Sequence, residues 1–182
     1  MNALVMNCSP VRTGATAEIV RIVAEQLAIN YETKTVCVAD YDFRFCRGCR
    51  TCHDTARCVL QDDVTLFMED LEWADVAVFV APSYWADIPG QFKALIDRCT
   101  PWCNTHEPHA TIRGGKRAYG IALRTGPGMR ECERILESIE HFCGHLEIAR
   151  CGRLGLCSVA GKEDVAAREA EIVAFCEKMM TE

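Results

Sequence analysis

Short apolar runs alternate along this chain with stretches in which apolar residues recur every three to four positions. Residues 3–7 (ALVMN) form a run of strand length that ends in a loop, as a buried first strand should. From Gly14 to Leu27 the spacing of Ile19, Val20, Ile22, Val23 and Leu27 is helical, and residues 34–39 (KTVCVA) alternate as a second strand. Residues 43–61 show no period. A loop that long in a compact domain tends to carry function. Asp62 or Asp63 is placed to cap a helix whose apolar face is Val64, Phe67, Met68 and Leu71.

Residues 75–81 (DVAVFVA) are almost wholly apolar, which suits a central strand covered on both faces. The pattern then predicts a helix over 89–103, a strand over 116–124, and a helix over 128–143 with Cys132, Ile135, Leu136, Ile139 and Cys143 on one side. A weaker strand over 146–154 and a closing helix over 163–180 complete the chain. Five alternations of strand and helix mean a parallel sheet with helices on both faces, and one domain over 1–182 accommodates them without a linker or repeat.

Composition narrows the reading. A formal net charge of −6 disfavours nucleic acid and acidic membranes, both of which need a basic surface. Neither a membrane span nor a signal peptide is visible, so the expected location is the cytoplasm. Thirteen cysteines, an odd number, then point to reduced thiols, metal ligation or redox chemistry. Cys99 and Cys103 share a stripe with Phe92, Leu95 and Ile96 and read as core residues, and Cys8 reads as a small buried one. Trp73 and Trp102 read as packing residues, and His106 and His109 as surface-loop histidines.

In an open parallel sheet of order 2-1-3-4-5, ligands bind beyond the carboxyl ends of the first and third strands. The first-strand loop supplies Ser9, Arg12, Thr13, Gly14, Ala15 and Thr16: three hydroxyls, a guanidinium and a glycine leading into a helix. Free N–H groups and the helix dipole favour phosphate there. The loop matches neither the dinucleotide G-x-G-x-x-G pattern nor the Walker pattern, so a single phosphate fits best. Read alone, Ser9 and Thr13 serve equally well as helix caps.

Two further loops meet the same edge. Pro82, Ser83, Tyr84 and Trp85 follow the third strand, and two large aromatics there call for a flat partner such as an isoalloxazine ring, a local cluster or a subunit interface. Thr125, Gly126 and Gly128 follow the fourth, where glycines let backbone approach a ligand or simply turn the chain. Within the aperiodic loop, Cys46, Cys49, Cys52 and Cys58 are spaced C-x2-C-x2-C-x5-C, which favours an iron–sulfur cluster over zinc. Free thiols or a disulfide are the other readings. Arg44, Arg47, Arg50 and Arg57 interleave with the cysteines and would offset thiolate charge.

Taken in order, NCSPVRTGAT (7–16), CRGCRTCHDTARCVLQDD (46–63) and APSYWADIPGQFKALIDR (81–98) resemble the NADPH-dependent FMN reductase and iron–sulfur flavoprotein group of the flavodoxin-like superfamily. The resemblance implies a three-layer flavodoxin-like fold. It places Ser9, Arg12, Gly14 and Thr16 around an FMN phosphate, Pro82 to Trp85 along the ribityl chain and ring, and Thr125 and Gly126 on the far side. It also implies a 4Fe–4S cluster on the four cysteines.

Two positions depart from the group's pattern: Cys8 replaces a common Gly, and Val11 replaces a common Arg, so the phosphate-facing charge has moved to Arg12 or been lost. Lys93, Asp97 and Arg98 also match, but their spacing reads as a surface ion pair. The expected function is electron transfer from NADH or NADPH through FMN to a quinone, flavin or other acceptor, with no side chain needed as acid or base. Two alternatives stand beside it: a non-enzymatic iron–sulfur flavoprotein trading electrons with ferredoxin, and a redox sensor. The loop and exposed aromatics suggest a homodimer or homotetramer.

Overall fold

In the computed structural model, which describes residues 1–181, the apolar runs become five parallel strands in the order β2-β1-β3-β4-β5. They are β1 (Asn2–Asn7), β2 (Glu32–Cys37), β3 (Val76–Pro82), β4 (Arg117–Leu123) and β5 (Ala149–Leu156). The helices are α1 (Ala15–Leu27), α2 (Thr51–Thr55), α3 (Val64–Trp73), α4 (Gly90–Arg98), α5 (Arg130–His145), α6 (Lys162–Ala166) and α7 (Glu169–Thr181).

Side chains of a strand alternate between faces, so each central strand feeds two cores. Leu4 and Met6 of β1 join Phe67, Phe79, Phe92 and Phe142 beneath α3, α4 and α5. Ala3 and Val5 join Ile19, Val23, Val78, Ile121 and Met179 beneath α1 and α7. Phe142 anchors the first core, with its ring edge-on to Phe79 at 6.0 Å and to Phe92 at 6.3 Å. Burying each such ring stabilises the fold by about 1.5–3 kcal/mol. Both faces of β1 and β3 are therefore dry, and only the strand ends are left to meet a ligand.

Several boundaries differ from the sequence expectation for identifiable reasons. α4 stops at Arg98 and is followed by a 3-10 turn, Thr100–Trp102, because Pro101 cannot continue an α-helix. Cys103 therefore leaves the core stripe and is half-buried, while Cys99 stays in it. The closing helix divides between α6 and α7, where Arg168 N–H tightens onto the Val165 carbonyl at 2.9 Å. Asp63 is the N-cap of α3 but makes no cap bond with its side chain, which accepts the Asp42 N–H at 2.8 Å, while the Asp62 carboxylate binds Arg98. Among the described residues, no helix is long and apolar enough to cross a membrane.

Candidate functional site

The carboxyl ends of β1, β3 and β4 open into a cavity of about 270 Å³. Ser9, Thr13, Gly14, Ala15, Thr16, Pro82, Ser83, Tyr84 and Thr125 all line it, as the sequence predicts, together with Val11. Gly14 is the N-cap of α1 at φ 120° and ψ −166°, a conformation that L residues avoid. No side chain caps α1, so Ser9 and Thr13 are not helix caps, and the first helical residues, Ala15 and Thr16, line the cavity with N–H groups that have no partner within the helix. Ser9 Oγ instead accepts the Val11 N–H at 3.2 Å. Asn7, buried at the end of β1, braces the loop by accepting from Ser9 N–H and donating to the Val11 carbonyl, both at 3.0 Å.

Four predicted residues stand elsewhere. Arg12 turns away to form an ion pair with Asp40 and donates to the Ala39 carbonyl at 2.7 Å. The hydrogen bond with Asp40 raises its pKa above the usual arginine range, so this guanidinium is already committed. Trp85 is 102% exposed on a tight Tyr84–Asp87 bridge, with φ 52°, and does not line the cavity. Gly126 and Gly128 do not line it either; they seat Arg124. A Cβ on Gly126 would fall 2.4 Å from Arg124 Nη2, and the Gly128 carbonyl accepts from Nη1 at 2.8 Å.

Arg124 is the cationic side chain that does line the cavity, and the sequence pattern placed it merely at a strand end. Its Nη2 pairs with Glu131 at 3.1 Å, and Glu131 also accepts the Ser83 hydroxyl at 2.6 Å. Its Nε is buried and has no hydrogen-bond partner. The guanidinium thus brings positive charge to the cavity wall, partly offset by Glu131. Val159 and Ala160, from the β5–α6 connection, close the rim.

The cysteine-rich loop forms a second site. Cys46, Cys49, Cys52 and Cys58 all line one small cavity with Arg47, Arg50, Leu60, Arg98 and Pro101. Cys46 and Cys49 are exposed, and Cys52 and Cys58 are half-buried, so a bound metal would sit near the surface. Hydrogen bonds from the Thr51 backbone and hydroxyl lower the Cys49 pKa, whereas burial raises that of Cys52. Within the loop the chain turns through left-handed Gly48 and Arg50 into α2. These features suit a group bound by four thiolates.

Arg98 contradicts the surface-pair reading. Lys93 and Asp97 do pair across one helical turn, but the Arg98 side chain is 1% exposed and reaches across to Asp62. His106 is also more than a surface residue. Its ring packs 4.2 Å from that of His53, and ligand atoms of Cys52, His53 and His106 all lie within 4.8 Å of one another. Both His106 nitrogens, however, meet carbonyl oxygens, Thr100 at 3.0 Å and Pro108 at 3.1 Å, which favours a structural role against the loop.

Cys8 is fully buried, and burial, reinforced by Cys37, raises its thiol well above the usual range. It is packing, not a nucleophile. A larger groove of about 600 Å³ lies between α4 and α5, where His141 and His145 spend their Nε2 atoms on each other at 2.9 Å. It shares no lining residue with the sheet-edge cavity.

A five-stranded parallel sheet in this order, open to a ligand at its carboxyl edge, defines the flavodoxin-like class. Solved structures agree on the fold. An NAD(P)H:quinone oxidoreductase from Methanothermobacter marburgensis superposes with a TM-score of 0.77 at 14% identity, covering 99% of this chain and 97% of that one. An FMN-dependent NADH-azoreductase from Bacillus anthracis, in complex with FMN, gives 0.70 at 11% identity, covering 98% and 99%.

The chain belongs to the NADPH-dependent FMN reductase family, whose model matches residues 1–155. An iron–sulfur flavoprotein of Archaeoglobus fulgidus is 27% identical over 132 residues, which is 72% of this chain and 58% of that protein. Another from Methanocaldococcus jannaschii is 29% identical over 143 residues, 78% and 71% respectively. The match thus spans little more than half the length of the first of these relatives.

Proposed function

We propose that the protein is an FMN-dependent oxidoreductase that draws electrons from NADH or NADPH and passes them to a quinone, flavin or other acceptor, with a 4Fe–4S cluster on its four cysteines. The observation that carries the FMN reading is the cavity at the sheet edge. It has an uncapped helix N-terminus on one side and the Arg124 side chain on the other. FMN, when bound, supplies exchange between two-electron and one-electron partners.

The chain's own part is binding and orientation. N–H groups of Ala15 and Thr16, with the hydroxyls of Ser9, Thr13 and Thr16, would hold the phosphate. Arg124 would replace the charge that Val11 does not provide and that Arg12 spends on Asp40. Pro82, Ser83, Tyr84 and Thr125 would border the ribityl chain and ring, and Trp85, free in solvent, is available to cover the ring or a second subunit. Cys46, Cys49, Cys52 and Cys58 would hold the cluster, because four thiols share one cavity with an arginine whose own Nε has no partner. No residue at either site is required to move a proton.

Arg44, Arg47, Arg50 and Arg57 are all exposed around the cysteine loop, beside an exposed Phe45, although the chain as a whole is acidic. That local reversal of charge favours a second reading: a carrier that exchanges single electrons with an acidic redox protein such as a ferredoxin. Anaerobic purification followed by flavin, iron and sulfide measured per chain tests the cofactors. Steady-state NADPH and NADH oxidation with quinone and flavin acceptors separates the readings. Turnover supports the reductase; rapid reduction by ferredoxin without such turnover supports the carrier.

A further inference from the structure

Arg98 ends α4, yet its side chain makes all of its hydrogen bonds outside that helix. Its Nη1 donates to the Arg44 carbonyl at 2.5 Å and to Asp62 Oδ2 at 2.7 Å. Its Nη2 donates to the Leu60 carbonyl at 3.3 Å and to Asp62 Oδ1 at 2.9 Å. Arg44 precedes the first loop cysteine and Leu60 follows the last, so one planar fork holds both ends of the cysteine loop. A guanidinium has five N–H donors, and these bonds engage the four on its terminal nitrogens.

The fifth, on Nε, is buried and unpartnered. Arg98 and Cys58 line the same small cavity, together with Cys46, Cys49 and Cys52. A thiol is a weak acceptor, whereas a metal-bound thiolate is a charged one.

We propose that Arg98 is the positioning and tuning residue of the cysteine site: it fixes the loop ends through Arg44 and Leu60, and donates from the guanidinium to the Cys58 sulfur once that sulfur is a cluster ligand. This rests on the reading of the four cysteines as a 4Fe–4S site. The consequence is electrostatic. Reduction adds negative charge to the cluster, and an N–H donor on a ligand sulfur stabilises the reduced form, raising the potential. Asp62 partly cancels the guanidinium charge at that sulfur. Removing Arg98 should therefore lower the potential, and removing only the Asp62 charge should raise it.

The test is an anaerobic, EPR-monitored redox titration of the holoprotein, comparing wild type with Arg98→Lys, Arg98→Gln and Asp62→Asn. For Arg98→Gln the ratio of reduced to oxidised cluster at a fixed poise should fall about tenfold, equivalent to 59 mV for one electron. Arg98→Lys should recover it only in part, since a lone ammonium cannot serve the same three acceptors. Asp62→Asn should shift the ratio the other way.

Hydrogen exchange of metal-free protein gives a second readout that needs no cluster, with faster exchange expected across residues 43–61 in both Arg98 variants. A merely structural role would move Asp62→Asn and Arg98→Gln in the same direction, and that result, or unchanged potentials, overturns the proposal. Wild-type protein that takes up no iron and sulfide would instead overturn the cluster reading itself.

Discussion

The two sites are built by opposite means. The cavity at the sheet edge is made of strand ends and a helix terminus, positioned by two cores that bury both faces of β1 and β3. Its donors are largely backbone, fixed before any ligand arrives. The cysteine site is a loop with a single short helix, and its ends are tied to the body by one buried guanidinium. Rigid backbone can grip a ligand that comes and goes; a loop of four thiols has to be organised by side chains or by its metal. Damage should therefore stay local to each site.

The largest expected effect is at the loop. Arg98→Met takes from the largely buried Asp62 carboxylate its bidentate partner and leaves it only the exposed Arg44, and breaking a buried pair in this way costs up to about 3–5 kcal/mol. Denaturant unfolding should register the loss, while FMN affinity measured by fluorescence quenching stays near wild type.

The converse change is Arg124→Met. It removes charge-assisted hydrogen bonds of about 1.5–3 kcal/mol at the sheet edge, so FMN affinity should fall about 10–100-fold with iron content untouched. Gly14→Ala should be similar or milder. The φ of 120° costs an L residue about 1–3 kcal/mol, visible as lowered stability and weaker FMN binding together.

Acid should act on the loop first. Burial alone would raise the Asp62 pKa, but hydrogen bonds from Arg98 and the Arg44 N–H outweigh it and hold the carboxyl below its ordinary value. A depressed folded-state pKa means that the ion pair stabilises fully at neutral pH, and that this contribution is lost as pH falls from about 4 through the folded value. Hydrogen exchange across residues 43–61 should accelerate in that window in metal-free protein, before the sheet opens. The smallest effect belongs to Arg12→Ala, which removes an exposed pair with Asp40 and should leave FMN affinity within about twofold.

What could be read from the sequence was what depends on local pattern. The alternation of strands and helices and both helical layers follow from hydrophobic period, the glycine turn after β1 from Gly14 leading into a helix, and the strand order from the flavodoxin-like resemblance. Long-range partners were hidden. Arg98 sits one residue after the Lys93–Asp97 pair and looks like part of it, yet its carboxylate lies 36 residues back in sequence. Arg124 reads as the end of a strand, because only the folded Gly126–Gly128 turn shows that its guanidinium curls back over the cavity. Arg12 failed for the same reason: nothing local announces that Asp40 will claim it. The two tight features missed at Trp85 and Pro101 are backbone events, one a left-handed bridge and one a broken helix.

The central claim is that a preformed edge cavity binds one FMN independently of whatever the cysteines hold. Calorimetric titration of FMN into wild type and into a variant with Cys46, Cys49, Cys52 and Cys58 all changed to serine addresses it directly. The account predicts one FMN per chain in both, with affinities within a few-fold and iron lost only from the variant. Absence of FMN binding to wild type, or its disappearance along with the cysteines, would contradict it.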